Sequence, residues 1–312
     1  MAQNVFLLSK QKIEAMKQYY HKSLTNVPQG AIFRAKTTNA VITAYKSGKV
    51  MFQGSSPQAE AVKWIDDAEI PKNNKPTNKK TSSTSSYTPP SSLFTGSHIG
   101  SDEAGTGDYF GPITVACAYV NSSHITTLKQ LGVKDSKNLT DETISKLAKE
   151  IVKLNIPYSL LVLHNNKYNT LQKRGWSQGK MKAMLHHAAI SNLLQKVGNQ
   201  SLDGILIDQF CEPHVYKKHI GSENHTLHEK TYFMTKAESY SIAVATGSII
   251  ARASFVKEMD KLSEELGIPL KKGASKLVDQ TIARVIKEKG EPVLQKCAKV
   301  HFANTNKAKA YL

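Results

Sequence analysis

Apolar residues along this chain follow two periods. Residues 113–120, Ile-Thr-Val-Ala-Cys-Ala-Tyr-Val, form an almost unbroken apolar, β-rich run, and residues 158–163, 205–207 and 231–234 are shorter runs of the same kind. All four read as strands. Helical periodicity marks residues 141–154, 179–197, 239–266 and 275–289. Thr140 is placed to cap the first of these, with Asp141 and Glu142 near its positive end. Strands alternating with helices from about residue 94 onward predict a mixed α/β domain with one central sheet. The first 70 residues carry a different pattern: a strand at 5–8, a helix at 9–23, strands at 31–35, 40–45 and 50–53, and a helix at 56–67. Ser47-Gly48 supplies a hairpin turn, and Ser56 with Pro57 starts the last helix. That succession predicts a small α+β module. No internal repeat is present.

Residues 71–93 break both periods. The stretch is rich in Pro, Lys, Asn, Thr and Ser and has almost nothing to bury, so it reads as a flexible linker. The expected organisation is therefore a binding module at 1–70, a linker at 71–93 and a large domain at 94–312.

Charge narrows the partners. The chain of 312 residues has a formal net charge of +17 and a pI near 9.6, which favours nucleic acid or an anionic surface. No apolar run approaches the roughly 18 residues that span a bilayer, and no signal peptide is evident, so no membrane association is expected. Lys10, Lys12, Lys17, Lys22, Arg34, Lys36, Lys46 and Lys49 give the small module a basic surface, which serves solubility as readily as nucleic-acid contact. Three widely spaced cysteines argue against a disulfide framework or a cysteine zinc site and fit a cytoplasmic location. The eleven histidines lack metal-ligand spacing, and His186-His187 reads as helix surface.

The candidate chemistry lies in the acids. Asp102 and Glu103 are adjacent and lead into a run containing Gly105, Gly107 and Gly111, where backbone can approach a bulky polyanion closely. Neighbours on a strand point to opposite faces, so two successive acids are not both expected in a core. Asp208 ends the short run 205–207, and ligands collect at strand ends in open α/β sheets. Glu238 follows the run 231–234. Taken singly, Asp208 reads equally as a cap and Glu238 as a first-turn glutamate favouring a helix dipole. Together, four acids in a basic chain repel phosphate unless divalent metal neutralises them. Hard carboxylate oxygens suit Mg²⁺ or Mn²⁺, and a pair of such ions activates water against a phosphodiester.

The run Gly100-Ser101-Asp102-Glu103-Ala104-Gly105-Thr106-Gly107-Asp108-Tyr109-Phe110-Gly111-Pro112 resembles the signature of the bacterial ribonuclease HIII family, a branch of the type 2 ribonucleases H. The resemblance extends through Lys134-Asp135-Ser136-Lys137, Gly179-Lys180-Met181, Ile207-Asp208-Gln209-Phe210 and Lys236-Ala237-Glu238-Ser239. It implies a ribonuclease H-like α/β catalytic domain with a central mixed sheet, preceded by a small α+β domain similar to the TATA-binding-protein fold that grips substrate. It also implies metal-dependent endonucleolytic hydrolysis of the RNA strand of RNA–DNA hybrids to 5′-phosphate and 3′-hydroxyl ends. Carried onto this sequence, the four catalytic, metal-holding acids are Asp102, Glu103, Asp208 and Glu238, with two ions of Mg²⁺ or Mn²⁺. Glutamate at 238, where the HII enzymes usually have aspartate, favours the HIII branch. Gly105, Thr106 and Gly107 resemble the loop that reads the ribose 2′-hydroxyl. Lys134, Ser136, Lys137, Lys180 and Lys182 are candidates for substrate phosphate, with ordinary surface lysine the competing reading. The stretch Lys271-Lys272-Gly273-Ala274-Ser275 lacks the tyrosine with which HII enzymes recognise an RNA–DNA junction, so runs of ribonucleotides are the expected substrate. Each acid can come from one chain, so a monomer is expected. The alternatives are an HII-like enzyme that cuts at single ribonucleotides, a non-catalytic hybrid- or DNA-binding protein, and an exonuclease of the same fold.

Overall fold

The computed structural model describes residues 2–28, 30–54, 57–64, 87–134 and 139–312, and the chain divides into two units, Met1–Lys80 and Thr81–Leu312. In the first, β1 (Ala2–Leu7), α1 (Lys10–Tyr19), β2 (Ala31–Lys36), β3 (Val41–Tyr45), β4 (Lys49–Gly54) and α2 (Pro57–Ala61) follow in order. The side chain of Ser9 accepts from the Lys12 amide and so caps α1. The four strands form one antiparallel sheet in the order β1-β4-β3-β2. Alternation puts Phe33, Ala35, Ile42, Ala44, Val50 and Phe52 on one face, where they pack with Ile13, Met16 and Ala61. Arg34, Lys36 and Lys49 are exposed. Gly48, with φ of 85°, makes the β3–β4 turn. Ser56 and residues 65–86, covering parts of the second expected helix and of the linker, lie outside the described residues.

The large unit is built on a five-stranded mixed sheet. Its strands are β5 (His98–Ala104), β6 (Ile113–Val120), β7 (Tyr158–Leu163), β8 (Gly204–Asp208) and β9 (Thr231–Met234), in the order β7-β6-β5-β8-β9. β5, β8 and β9 run parallel, while β6 and β7 pair antiparallel with their neighbours. Around the sheet lie α3 (Ile125–Gln130), α4 (Asp141–Lys153), α5 (Asn165–Lys173), α6 (Gln178–Val197), α7 (Pro213–Gly221), α8 (Ile242–Leu266) and α9 (Lys276–Lys289). One face packs on α6 and α7 through Ile99, Val115, Cys117, Ile205 and Ile207. The other packs on α8 and α4 through Ala116, Ala118, Ala245, Ile249 and Ile151. A third apolar cluster around Tyr109, Phe110, Phe255, Met259 and Ile282 joins α8 and α9 to the loop after β5.

Several elements differ from the sequence expectation. Thr81–Leu312 as a unit includes the end of the expected linker: Phe233 donates its amide to Tyr87 O, and Leu93 is buried with Leu206 and Val244. β5 is not among the strands expected from the sequence, although Asp102 and Glu103 are read there as extended neighbours pointing to opposite faces. Its Asp102 and Glu103 are both largely buried, against the expectation for successive acids, because each face of the sheet carries its own helix. The helix expected from residue 239 begins at Ile242, since the Ser241 side chain caps the Val244 amide and leaves Ala237–Ser239 as a separate 3₁₀ turn. Among the described residues no helix is long and apolar enough to cross a membrane.

Candidate active site

The three parallel strands deliver acids to one end of the sheet. Ser101 pairs with Ile207 in register, so Asp102 and Asp208 follow at the same level and share the α8 face. Glu103, one residue on, faces α6. Beyond β9, Lys236 adopts a left-handed conformation, with φ of 57°, and turns the chain into the 3₁₀ turn carrying Glu238. The Ala237 amide donates to Asp208 Oδ1 at 2.8 Å, tying that turn to the end of β8.

Two close approaches of backbone set this geometry. A Cβ at Gly100 would lie 2.0 Å from the Val244 amide nitrogen, and one at Gly247 would lie 3.1 Å from Gly100 O. Helix α8 therefore rests directly on β5 and brings Ser248 to hydrogen-bond Asp102.

Asp102, Glu103 and Asp208 line a cavity of about 430 Å³, together with Gly105, Thr106, Gly107, Ser248 and Arg252. Burial, and then the charges of Glu103 and Asp208, raise the Asp102 carboxyl well above the usual carboxylate range. Glu103 is the opposite case. Burial alone would raise it, but His186 and Lys182 outweigh burial and hold it at about 2. His186 Nε2 lies 2.9 Å from Glu103 Oε2, and Lys182 donates to Oε1 at 2.8 Å. His186 is itself buried, with Nδ1 2.7 Å from Ser101 Oγ. The expectation that His186-His187 is helix surface is thus corrected, since α6 is covered on both sides at this point.

Glu238 is buried but lines a different cavity, with Lys129, Lys134, Tyr240 and Ser241. Among the described residues no three acids, histidines or cysteines already stand as a metal cage. Hard oxygen donors crowded until one of them resists ionisation are nevertheless a donor set that a divalent cation fits, because the cation removes the repulsion.

The expected substrate contacts divide. Gly105, Thr106 and Gly107 wall the acid cavity. Gly105 has φ of 85°, and a Cβ there would lie 2.3 Å from Pro112 O. Lys134 is exposed, whereas Ser136 and Lys137 lie outside the described residues. Lys180 pairs with Glu223 at 2.5 Å and stands 4.3 Å over the Trp176 ring, and Lys182 is engaged by Glu103. Neither is a free surface lysine.

Residues that the sequence reading passed over hold the glycine loop. Gln178 donates to Thr106 O at 3.0 Å, and the Gly273 amide donates to Asp108 Oδ1 at 2.6 Å. Lys299, fully buried, donates to Asp108 O at 2.9 Å and Gly111 O at 2.6 Å. Burial lowers the Lys299 ammonium to about 7, against a weaker opposing pull from Asp108. The unfolded chain keeps that proton up to its ordinary value of 10.5, so from pH 7 to 10 the unfolded state binds more protons. Stability is therefore expected to rise with pH across that window, by at most about 1.4 kcal/mol per unit. Thermal melts at pH 7 and 9 check this: the gain should be larger in the wild type than in Lys299→Met, and equal gains would contradict it.

Comparisons with known proteins bear on this arrangement. The family described as Ribonuclease HII matches residues 99–305, and a domain of unknown function, DUF3378, matches residues 3–78. A protein named Ribonuclease HIII from Oceanobacillus iheyensis is 60% identical over 314 residues, covering 100% of each chain. Another of that name from Bacillus licheniformis is 52% identical over 310 residues, covering 99% of this chain and 98% of its own. Among solved structures, Bst-RNase HIII in complex with Mn²⁺ is 42% identical, covers 99% of this chain and 98% of its own, and superposes with a TM-score of 0.69. Aquifex aeolicus RNase H3, at 20% identity and a TM-score of 0.55 over 96% of this chain and 99% of its own, shows likeness of fold alone.

Proposed function

The chain belongs to the ribonuclease HIII branch of the ribonuclease HII family and is a ribonuclease H, and from that membership we propose that it cuts the RNA strand of RNA–DNA hybrids internally, leaving 5′-phosphate and 3′-hydroxyl ends. The observation that carries this reading is the convergence of Asp102, Glu103 and Asp208 on one cavity walled by the Gly105–Gly107 backbone. Carboxylates alone would repel a phosphodiester. Asp102, Glu103 and Asp208, joined by Glu238, are the residues that would hold Mg²⁺ or Mn²⁺, two ions during the reaction. Bound there, such ions would supply Lewis acidity at the phosphate and make an attacking water more acidic. The Mn²⁺ complex of Bst-RNase HIII supports Mn²⁺ as one such ion.

The remaining parts bind and orient. Backbone groups of Gly105, Thr106 and Gly107 meet the ribose 2′-hydroxyl and so select RNA. Lys299 and Gln178 keep that loop at its distance from the acids. All four acids come from one chain, which supports a monomer, and the three cysteines are free thiols, which supports a reducing cytoplasmic setting.

The test is digestion of a hybrid labelled on either strand, in Mg²⁺ and in Mn²⁺, with analysis of the new ends. Internal RNA cuts bearing 5′-phosphate, with the DNA strand intact, are expected. Cyclic or 3′-phosphate ends would overturn the proposal.

The small unit is assigned to gripping substrate, supported by its basic surface at Arg34, Lys36 and Lys49. Removing residues 1–80 leaves Tyr87 in place on Phe233. It is expected to raise KM for hybrid about tenfold or more while changing kcat by less than about threefold. An unchanged KM would count against that assignment.

A further inference from the structure

Glu103 has both carboxylate oxygens engaged, and the two partners differ in kind. His186 is fixed: it is 0% exposed, its Nδ1 meets Ser101 Oγ at 2.7 Å, and its ring stacks on Phe210 with centroids 5.2 Å apart. An ionised carboxylate only accepts, so the hydrogen between His186 Nε2 and Glu103 sits on the nitrogen. Lys182 is held less firmly. Its ammonium reaches Oε1 at 2.8 Å from the end of a four-carbon stem and lies 4.0 Å over the Phe210 ring, and its side chain keeps 13% exposure. Lys182 and His186 stand four residues apart on α6, so both address Glu103 from one helix face.

We propose that Lys182 is an exchangeable counter-ion of Glu103: its ammonium and a divalent cation compete for the same carboxylate, while His186 stays as the fixed anchor. The inference rests on the reading of Glu103 as a metal-holding residue. A single and a double positive charge on one partly buried carboxylate repel each other strongly, so arrival of the divalent ion drives the ammonium off. The lysine already meets water over the exposed part of its flexible side chain, whereas the histidine has no exposed surface. The exchange keeps Glu103 ionised and aimed throughout. It also sets the affinity for the divalent ion below that of the same carboxylates without the lysine, so the protein binds that ion in a range where it both loads and leaves.

Mn²⁺ binding to the full chain, followed by the loss of free-ion electron paramagnetic resonance signal at pH 8, tests this. Lys182→Met is expected to bind Mn²⁺ about fivefold more tightly than wild type or more, and Lys182→Arg to match wild type. Asp102→Asn is expected to weaken binding about tenfold or more. Failure of the wild type to bind, or unchanged binding by Asp102→Asn, would overturn the reading of the acids themselves. Wild-type binding weakened by Asp102→Asn but no tighter in Lys182→Met would overturn the exchange alone. A measurement on wild type removes any dependence on folding of the variant: acylation of Lys182, read by mass spectrometry against Lys196, should accelerate about threefold or more in saturating Mg²⁺. An unchanged ratio overturns the proposal.

Discussion

Asp102→Asn is expected to lower single-turnover cleavage of a hybrid about a thousandfold or more while raising the melting temperature of the protein measured in chelator. Both effects come from one cause. Asp102 sits on the α8 face of β5, buried, with Glu103 beside it and Asp208 level with it across the sheet. Its carboxyl is raised by burial first and by those two charges next. A carboxyl raised in the folded state binds more protons folded than unfolded between its ordinary value, near 3.9, and its raised one. Stability is therefore lost as pH rises through that interval. Asparagine removes the loss, can still accept the Glu103 amide at 2.7 Å as Asp102 Oδ1 does, and should gain on the order of 1 kcal/mol, or about 2–4 °C in a domain of this size. The gain should shrink toward zero at pH 4. Adding Mn²⁺ should reverse the order, stabilising wild type and leaving the variant unchanged. A variant that melts lower than wild type at neutral pH without metal would show that Asp102 is structural rather than strained.

Gly100→Ala has the largest expected effect on the fold. The added methyl would lie 2.0 Å from the Val244 amide nitrogen and 2.2 Å from the Ala243 carbonyl carbon, and both belong to helix backbone that cannot rotate aside. Either α8 lifts from the sheet or β5 bends, and each opens a core that includes Ala116, Ala245 and Ile249. We expect a cost of about 3 kcal/mol or more, above the usual range for overpacking because no flexible side chain absorbs it. The lift also moves Ser248 from Asp102, so the folded remainder should have impaired catalysis. Chemical denaturation with hybrid cleavage checks both, and a loss under about 1 kcal/mol would mean that the contact yields more readily than its geometry indicates.

The contrast between β6 and β5 shows what the sequence made legible. Residues 113–120 are buried throughout and apolar almost throughout, so the strand was readable to its ends. β5 is buried as well, but its sequence is His-Ile-Gly-Ser-Asp-Glu-Ala, poor in strand-favouring residues. Its polar groups are satisfied by distant partners: His98 by Ser241 Oγ at 2.7 Å, and Ser101 by His186. No local pattern reports a partner 143 or 85 residues away. The acids stood out as candidates because their chemistry and motif are concentrated in short runs. Lys299 was not, because a lysine in Cys-Ala-Lys-Val-His looks like any other until the loop it clamps is folded over it. The link between Lys182, His186 and Glu103 did leave a signal. Lysine and histidine four apart on a helix share a face, as serine and glutamate two apart do on a strand.

Glu238 is the member of the quartet that lines a separate cavity, so it bears most directly on the central claim of one four-acid centre. The decisive measurement is single-turnover cleavage of an end-labelled RNA–DNA hybrid in Mg²⁺ by Glu238→Gln, with hybrid affinity measured in parallel. The rate is expected to fall about a hundredfold or more at unchanged affinity. A wild-type rate would contradict it and leave Glu238 as a buried glutamate of the turn after β9.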